Sequence, residues 1–128
     1  MVRINSLKFG NLDVRISIIP KILSWIPGLD IEAITFGHTI HIREDCYRKD
    51  VLLHEAIHYW QLQELGDIRY LTHYLSYLVE GFLKFKSLEQ ACEYIPFEKE
   101  ARNNCDNIEY LKTRRSFQWV DYAHDDFE

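Results

Sequence analysis

The stretch Leu53-His54-Glu55-Ala56-Ile57-His58 decides the fold of this chain, because it places two histidines four positions apart within residues 47–65, a segment without Gly or Pro that reads as a helix. On a helix, positions i and i+4 lie one turn apart on nearly the same side, so both imidazoles can reach one ion. Glu55 points about 100° away from His54, where it can meet a water held by a metal rather than the metal itself. The spacing therefore predicts two metal ligands and a base.

Patterns of this kind also occur by chance, so the surroundings of the motif matter. Its neighbours are apolar and indicate a buried helix: Val51, Leu52, Leu53, Ala56 and Ile57. Two buried histidines beside a carboxylate need partners that offset their loss of hydration, and a metal ion provides them. The helical His-Glu-x-x-His spacing is typical of Zn²⁺ sites. We therefore expect this chain to bind zinc.

Length and composition bound the class of protein. The 128 residues, 47% of them hydrophobic, suit a single domain that spans residues 1–128. A formal net charge of −5 gives no general attraction to nucleic acid, and no stretch approaches the roughly 18 apolar residues of a membrane span. The cysteines are an odd number without Cys-x-x-Cys spacing, and no secretion signal is recognisable, so we expect a cytoplasmic protein with free thiols at Cys46, Cys92 and Cys105.

The residues ahead of the motif predict strands and one short helix. Residues 2–9 alternate apolar and polar side chains, which is compatible with a short strand, and Asn11 is expected to start a turn. Residues 13–25 carry two overlapping signals, because alternation predicts a strand while the spacing after Pro20 predicts a short helix. We expect the apolar side chains of residues 18–29 to lie in the core rather than on a membrane.

A β-hairpin is predicted over residues 31–43. Two runs rich in β-branched and aromatic residues flank Gly37-His38, which is expected to form the turn. His38 and His41 are three positions apart, so in a regular strand they face opposite sides and do not share a metal. His41 alone could approach the metal site, but we expect it at the surface.

Two further helices are predicted after the motif helix, which Gly66 ends. The first begins at Asp67, its expected cap, and runs to about Lys84. Its apolar stripe is expected in the core and consists of Ile68, Leu71, Leu75, Leu78, Phe82 and Phe85, whereas the opposite side is expected to face water with His73, Ser76, Glu80 and Lys84. Gly81 would permit close packing of this helix.

Pro96 begins the last predicted helix, after a connection or short helix over residues 87–94. Its expected buried face consists of Phe97, Ala101, Ile108 and Leu111, and the aromatic residues beyond Thr113 are expected to pack across the domain: Phe117, Trp119, Tyr122 and Phe127. Together these elements predict an α+β fold, in which a small N-terminal antiparallel sheet or hairpin packs on a bundle of about three helices.

A zinc site with two histidines is incomplete, because catalytic sites usually have three protein ligands and a water. Three downstream glutamates compete for the third place. Glu80 belongs to the side of its helix that is expected to face water, which disfavours it. Glu98 and Glu100 both flank the apolar face of the last predicted helix, and periodicity alone does not choose between them.

Residues 28–101 resemble the gluzincin-type zinc metallopeptidases, in which a His-Glu-x-x-His helix is followed by a second helix that supplies a glutamate. The likeness is to the minimal, single-domain members of bacteria and phages. The matching stretches are Ile34-Thr35-Phe36-Gly37 and Thr39-Ile40 of the hairpin, the extension of the motif to Gln61, Leu65-Gly66, Tyr70-Leu71, Tyr74, and Tyr94-Ile95-Pro96-Phe97-Glu98-Lys99-Glu100-Ala101. The resemblance implies a zincin-like core and hydrolysis of peptide bonds.

The resemblance also implies which glutamate completes the site. In this family the ligand is commonly the first residue of a Glu-x-x-Ala pattern, here Glu98 and Ala101, so the zinc ligands are expected to be His54, His58 and Glu98. The family often has an aspartate directly after that alanine to brace a ligand histidine, and this chain has Arg102 instead. A different residue must then support the ligands, and the candidates are Gln61, Glu100 and Asp106.

These features predict a zinc-dependent hydrolase that acts on peptide or protein substrates. Glu55 would take a proton from the attacking water and return it to the leaving nitrogen. An extended peptide could align along the hairpin strand that ends at Arg43, and candidate donors to the oxyanion are Tyr74, Tyr77, Tyr94 and His73. Two alternatives stay open: a non-catalytic module whose closed zinc site fastens two helices, and an all-helical interaction domain without metal.

Overall fold

The computed structural model of the protein describes residues 2–6, 10–27 and 31–127. Its strands are β1 (Val2–Ser6), β2 (Gly10–Ile16), β3 (Ala33–Phe36) and β4 (Thr39–Ile42), and they form one sheet in the order β1-β2-β4-β3. β1 and β2 are antiparallel, as are β3 and β4, but β2 and β4 run parallel. The sheet is therefore mixed and not antiparallel throughout as expected, because the chain crosses over after β2 before it forms the hairpin.

The expected turn at Asn11 is wrong, because Asn11 lies inside β2 and is paired with Asn5 of β1. Leu12 and Val14 are fully buried, and their pairing with β1 extends the strand back to Gly10. The connection between β1 and β2 lies outside the described residues, as do the last three residues of the strand predicted over 2–9. Both signals in residues 13–25 are confirmed. The alternation corresponds to the end of β2, and the helical spacing corresponds to the short helix α1 (Ile19–Leu23).

The apolar side chains around α1 are exposed, so the prediction that they lie in the core is wrong. Of the predicted core residues, Leu23 is half-buried, and the exposed ones are Ile18, Ile19, Ile22, Trp25 and Ile26. Within α1 only Pro20 is buried, because a helix of five residues presents little more than one turn to the sheet. Residues 28–30 of this stretch lie outside the described residues.

The hairpin predicted over residues 31–43 is confirmed. Phe36 pairs with Thr39, and Gly37 between them takes a positive φ of 56°, which favours glycine. Strand β4 pairs on both sides, with β2 and with β3, whereas β3 is at the edge of the described sheet. A peptide therefore cannot add to the strand that ends at Arg43, and the expected alignment along that strand is wrong.

The rest of the described chain is mainly helical. It contains α2 (Lys49–Leu65), α3 (Asp67–Phe85), α4 (Leu88–Tyr94), α5 (Pro96–Asn104) and α6 (Tyr110–Thr113), with 3₁₀ segments at Glu44–Cys46 and Gln118–Phe127. The predicted α+β class is confirmed. Gly66, with a φ of 81°, ends α2 and is also the N-cap of α3, so Asp67 is the first helical residue and not the cap. No helix in these described ranges has both the length and the apolar character needed to cross a membrane.

One core joins the sheet to α2. Its buried members are Leu12, Val14, Ile40 and Ile42 from the sheet, Cys46, and Val51, Ala56 and Tyr59 from α2. Fully burying an aliphatic side chain of this size contributes about 1.5–3 kcal/mol, so this contact fixes α2 against the sheet. The motif histidines of α2 then face α5, where Glu98 lies in the first helical turn.

The apolar stripe of α3 is exposed, and its assignment to the core is wrong. Ile68, Leu71, Leu75, Phe82 and Phe85 are exposed, and only Leu78 of the predicted stripe packs against a core cluster. The buried side of α3 instead carries three tyrosines, Tyr70, Tyr74 and Tyr77, which surround Phe97. Tyrosine suits this side because it offers both a ring for packing and a hydroxyl for the polar groups beside it.

The opposite side of α3 is largely as predicted, since Ser76, Glu80 and Lys84 are exposed. His73 departs from the prediction, because it is half-buried with its ring against Trp119. The expected close approach at Gly81 is confirmed, since a Cβ there would lie 3.0 Å from the Cα of Ala91 in α4.

The last predicted helix is interrupted. Phe97 and Ala101 are fully buried as predicted, but α5 ends at Asn104, Ile108 is exposed, and Leu111 belongs to the separate helix α6. Asn and Asp side chains compete for backbone hydrogen bonds and favour turns, and four of them occur in residues 103–107. Beyond α6, Trp119 packs on Phe97 and Tyr122 is half-buried, Phe117 is exposed, and the side chain of Phe127 is outside the described part.

Candidate metal centre

Helix α2 brings the two motif histidines together. Their Nε2 atoms lie 3.1 Å apart, with the ring centroids at 4.8 Å. Helix α5 adds Glu98, whose Oε1 lies 3.2 Å from the Nε2 of His54 and 3.2 Å from that of His58. The three predicted ligands therefore point their donor atoms at one common position.

The size of this triangle can be compared with a zinc site. With zinc–nitrogen and zinc–oxygen distances near 2.0–2.1 Å and tetrahedral angles, two ligand atoms lie about 3.3 Å apart. The three observed separations, 3.1, 3.2 and 3.2 Å, are within about 0.2 Å of that value. Two imidazole nitrogens and one carboxylate oxygen also form a ligand set that zinc takes in catalytic sites. The residues present therefore fit a zinc ion.

The tautomer of His58 is set by Gln61. The Gln61 amide nitrogen donates to the Phe97 carbonyl at 3.0 Å and to Glu100 Oε1 at 2.9 Å, which fixes the orientation of the amide. Its oxygen then faces His58 Nδ1 at 2.8 Å, so Nδ1 carries the proton and donates. In the neutral ring, Nε2 of His58 then has a lone pair directed at the common position, as a metal ligand requires.

A buried ion-pair network supports Gln61 from behind. Arg114 donates to both oxygens of Glu100 and to both oxygens of Glu64 in α2, at 2.6 to 3.2 Å. Tyr110 donates to Glu100 Oε2 at 2.7 Å. Burial alone would lower the pKa of Arg114, but the two carboxylates raise it, so the guanidinium stays charged. The network runs from α6 through Glu100 and Gln61 to His58.

Of the three candidates for the supporting role, Gln61 contacts His58 directly and Glu100 acts through Gln61. Asp106 is exposed beyond the end of α5. Arg102, which stands where the family often has an aspartate, is exposed and donates to the Glu93 carbonyl.

The second oxygen of Glu98 is held by α3. Tyr74 donates to Glu98 Oε2 at 2.9 Å, and the Tyr70 hydroxyl lies 3.3 Å from His58 Nδ1. Burial and the neighbouring Glu98 carboxylate raise the pKa of Tyr74, so its hydroxyl keeps the proton that it donates. Tyr74 thereby leaves Glu98 Oε1 directed at the histidines.

The electrostatics of the site favour a positive charge at its centre. Burial opposes protonation of His58, but the adjacent Glu98 carboxylate outweighs burial and raises the pKa of His58 to about 10. Burial alone would raise the pKa of Glu98, whereas the histidines hold that pKa well below its usual range. A divalent cation shared by these atoms would meet the same electrostatic demand.

Glu55 lies beside the ligands. Its side chain is buried, and a carboxylate oxygen of Glu55 and one ring nitrogen of each motif histidine all lie within 4.8 Å of one another. Thr35 of β3 donates to Glu55 Oε1 at 2.9 Å and so fixes the carboxylate against the edge of the sheet. Glu55 is therefore close enough to meet a water at the metal position.

The site opens on one side. The side chains of His54 and Glu98 keep 24% and 21% of their surface exposed, whereas that of His58 keeps 9%. The water-accessible part of the site therefore lies on the side of His54 and Glu98. A catalytic zinc site needs such an open side, and a structural site does not.

Several residues considered from the sequence lie elsewhere. Glu80 is exposed and accepts a hydrogen bond from Tyr94, so neither residue is at the site. His73 Nδ1 contacts the Arg69 carbonyl, and Tyr77 packs on Phe97. Among the candidate oxyanion donors, only Tyr74 is hydrogen-bonded to a predicted ligand.

Four supporting residues were not assigned from the sequence to the roles described above: Thr35, Tyr70, Tyr74 and Arg114. The tyrosines left a signal, since Tyr70, Tyr74 and Tyr77 recur at helical spacing on one side of α3. No sequence pattern indicated the roles of Thr35 and Arg114, because their partners are distant in the sequence and no periodicity connects them.

Comparison of the chain with family models, with curated proteins and with solved structures gave no match in any of the three. The likeness to the gluzincins therefore rests on the residues of this chain and on the geometry of the site.

Proposed function

We propose that this chain is a zinc-dependent peptidase of the gluzincin type, in which His54, His58 and Glu98 hold the ion. The observation that carries the proposal is the triangle of their donor atoms, whose sides of 3.1, 3.2 and 3.2 Å fit three corners of a zinc tetrahedron. Zinc bound there would supply Lewis-acid chemistry, since it lowers the pKa of water to near 7 and polarises a carbonyl.

Glu55 is the general base of the proposed reaction. It takes a proton from the attacking water and returns that proton to the leaving nitrogen. Its burial next to both histidines and the hydrogen bond from Thr35 support this role, because they hold the carboxylate within reach of the reacting atoms.

The substrate in this proposal is an extended peptide or protein segment that adds to β3. β3 is the edge strand on the helical side of the described sheet, and Thr35 links it directly to Glu55. Backbone hydrogen bonds along such an edge align a peptide without requiring a particular sequence. The exposed parts of His54 and Glu98 leave room for the scissile bond.

The proposed location is the cytoplasm. Cys46, Cys92 and Cys105 are all free, which favours a reducing compartment. The net charge of −5 favours a peptide over a nucleic-acid substrate.

The test separates zinc binding from hydrolysis. Wild-type protein should hold one zinc per chain by mass spectrometry of metals and should cleave a library of internally quenched peptides. Glu55→Gln should keep the zinc and lose at least about 100-fold of the hydrolysis, because a positioned base contributes 10²–10⁴-fold. The matched control is Glu80→Gln, an exposed glutamate outside the site, which should change neither property.

Three outcomes would contradict the proposal in different ways. If the wild-type protein holds no zinc after loading and desalting, both the proposed zinc site and the proposed peptidase activity are refuted. Zinc binding with equal hydrolysis by wild type and Glu55→Gln would show that Glu55 is not the base. Zinc binding without any hydrolysis, combined with a large loss of stability on chelation, would identify the non-catalytic zinc module instead.

A further inference from the structure

The side of α3 that faces away from α4 and α5 is apolar along its length. It is formed by Ile68, Leu71, Leu75, Val79, Phe82 and Leu83, which we call the outer face, and each of these residues keeps 45 to 83% of its surface exposed. The charged residues between positions 67 and 86 lie on other sides of the helix, so none of them interrupts this face. The side of the same helix that packs against the rest of the chain is instead the one that carries the tyrosines.

The exposed area is too large for the ordinary surface of a monomer. With about 200 Å² for a fully exposed leucine-sized residue, the outer face leaves on the order of 700 Å² accessible, whereas the largest patch of a typical monomer is about 300–600 Å². Each partner in a stable interface of standard size buries about 800 Å². The outer face therefore has the area of one half of a dimer interface.

We infer that the outer face of α3 binds the outer face of a second copy of this chain, with the two α3 helices antiparallel. The apolar positions recur at steps of three or four residues, which keeps them on one side of the helix, as in a helix-pairing surface. A two-fold interface requires a patch that complements itself. When Leu75 of one copy faces Val79 of the other, the same register places Leu71 opposite Leu83, so the centre of the face is covered, and Ile68 at each end lies opposite Lys86.

The orientation of the two helices is inferred from their ends. Asp67 begins α3 and Lys86 follows its last residue, so an antiparallel pair brings Asp67 of one copy near Lys86 of the other, whereas the exposed Arg69 in the same first turn offsets part of this attraction. The helix dipoles are also opposed in this arrangement. A parallel pair would place Asp67 beside Asp67 and Lys86 beside Lys86, which is unfavourable.

Sedimentation equilibrium of the full chain between about 1 and 100 µM tests the pairing. Wild type should sediment with twice the 15.4 kDa mass of one chain. Leu75→Glu should weaken the dimer at least about 30-fold, because it places two carboxylates at the centre of the interface. The control is Ile108→Glu, which changes an apolar residue outside α3 that is somewhat more exposed than Leu75 and should leave the dimer intact.

Cross-linking tests the orientation without a disruptive charge. A short bis-maleimide should join two chains of Leu75→Cys, whose positions lie near the two-fold axis. It should not join Ile68→Cys, because residues 68 of an antiparallel pair lie about 27 Å apart along the helices. The wild-type chain controls for the three natural cysteines. A wild-type monomer over the whole concentration range, a dimer that Leu75→Glu leaves unchanged, or efficient cross-linking of Ile68→Cys would each overturn the inference.

Discussion

Replacing Gln61 by leucine should lower the zinc affinity of the proposed site while leaving the three proposed ligands in place. In the wild type, the Gln61 oxygen accepts from His58 Nδ1 at 2.8 Å, and its nitrogen donates to Glu100 and to the Phe97 carbonyl. Leucine has a similar volume but offers no acceptor, so His58 is free to adopt the tautomer with a protonated Nε2, which cannot bind a metal.

The size of the effect follows from that single contact. Loss of the group that orients a ligand histidine typically lowers metal affinity by about 10- to 100-fold, or about 1.4–2.8 kcal/mol. The metal-free protein should also lose about 1–3 kcal/mol of unfolding free energy, because Glu100 and the Phe97 carbonyl each lose a buried donor.

Zinc affinity is measured by competition with a chromophoric chelator, and stability by urea denaturation of the metal-free protein. The matched control is Gln63→Leu, which changes an exposed glutamine of the same helix and should leave both quantities unchanged. A Gln61→Leu protein that binds zinc within about threefold of wild type would refute the assignment of the His58 tautomer.

Three further predictions concern the surroundings of the site. Tyr74→Phe removes the donor to Glu98 Oε2 and should lower zinc affinity by about tenfold in the same competition assay, and an unchanged affinity would remove Tyr74 from the site. Arg114→Met leaves the buried carboxylates of Glu64 and Glu100 without their partner and should lower the unfolding free energy, measured in urea, by about 3–5 kcal/mol. The control Arg115→Met changes an exposed arginine and should lower it by under about 0.5 kcal/mol. Similar losses in the two variants would contradict the ion-pair network. Gly81→Ala should lower the unfolding free energy by about 1–3 kcal/mol, because its Cβ would lie 3.0 Å from the backbone of Ala91, and a neutral result would show that α3 and α4 can separate at little cost.

Features with a local origin were predictable from the sequence. The motif helix, the hairpin around Gly37 and the start of the helix at Pro96 each depend on side chains close together along the chain. The convergence of Glu98 on the histidines was expected from a resemblance and not from periodicity, which left Glu100 equally placed. The structure gives these two glutamates different surroundings, with Glu98 beside the imidazoles and Glu100 beside Arg114.

Features that depend on distant partners were not predictable. The parallel pairing of β2 with β4 follows from a crossover of the chain. The alternation of apolar and polar side chains within a strand does not show whether its neighbour runs parallel or antiparallel. The sequence predicts that the leucine side of α3 is buried, whereas the tyrosine side is. Hydropathy ranks leucine above tyrosine and does not include the hydrogen bond that Tyr74 donates to the Glu98 carboxylate. Where a helix supports a polar site, its buried side is selected by hydrogen bonding as well as by apolar area.

The ion-pair network behind Gln61 sets a minimum length for any working fragment of this chain. A fragment that stops soon after Ala101 retains every ligating atom, yet it lacks the guanidinium of Arg114 that holds Glu100 in place. In a series of C-terminal deletions, ion binding should therefore fail when the end point passes residue 114, well beyond the motif. The C-terminal limit of the proposed metal-binding unit is thus set by a guanidinium group that is not itself one of the proposed ligands.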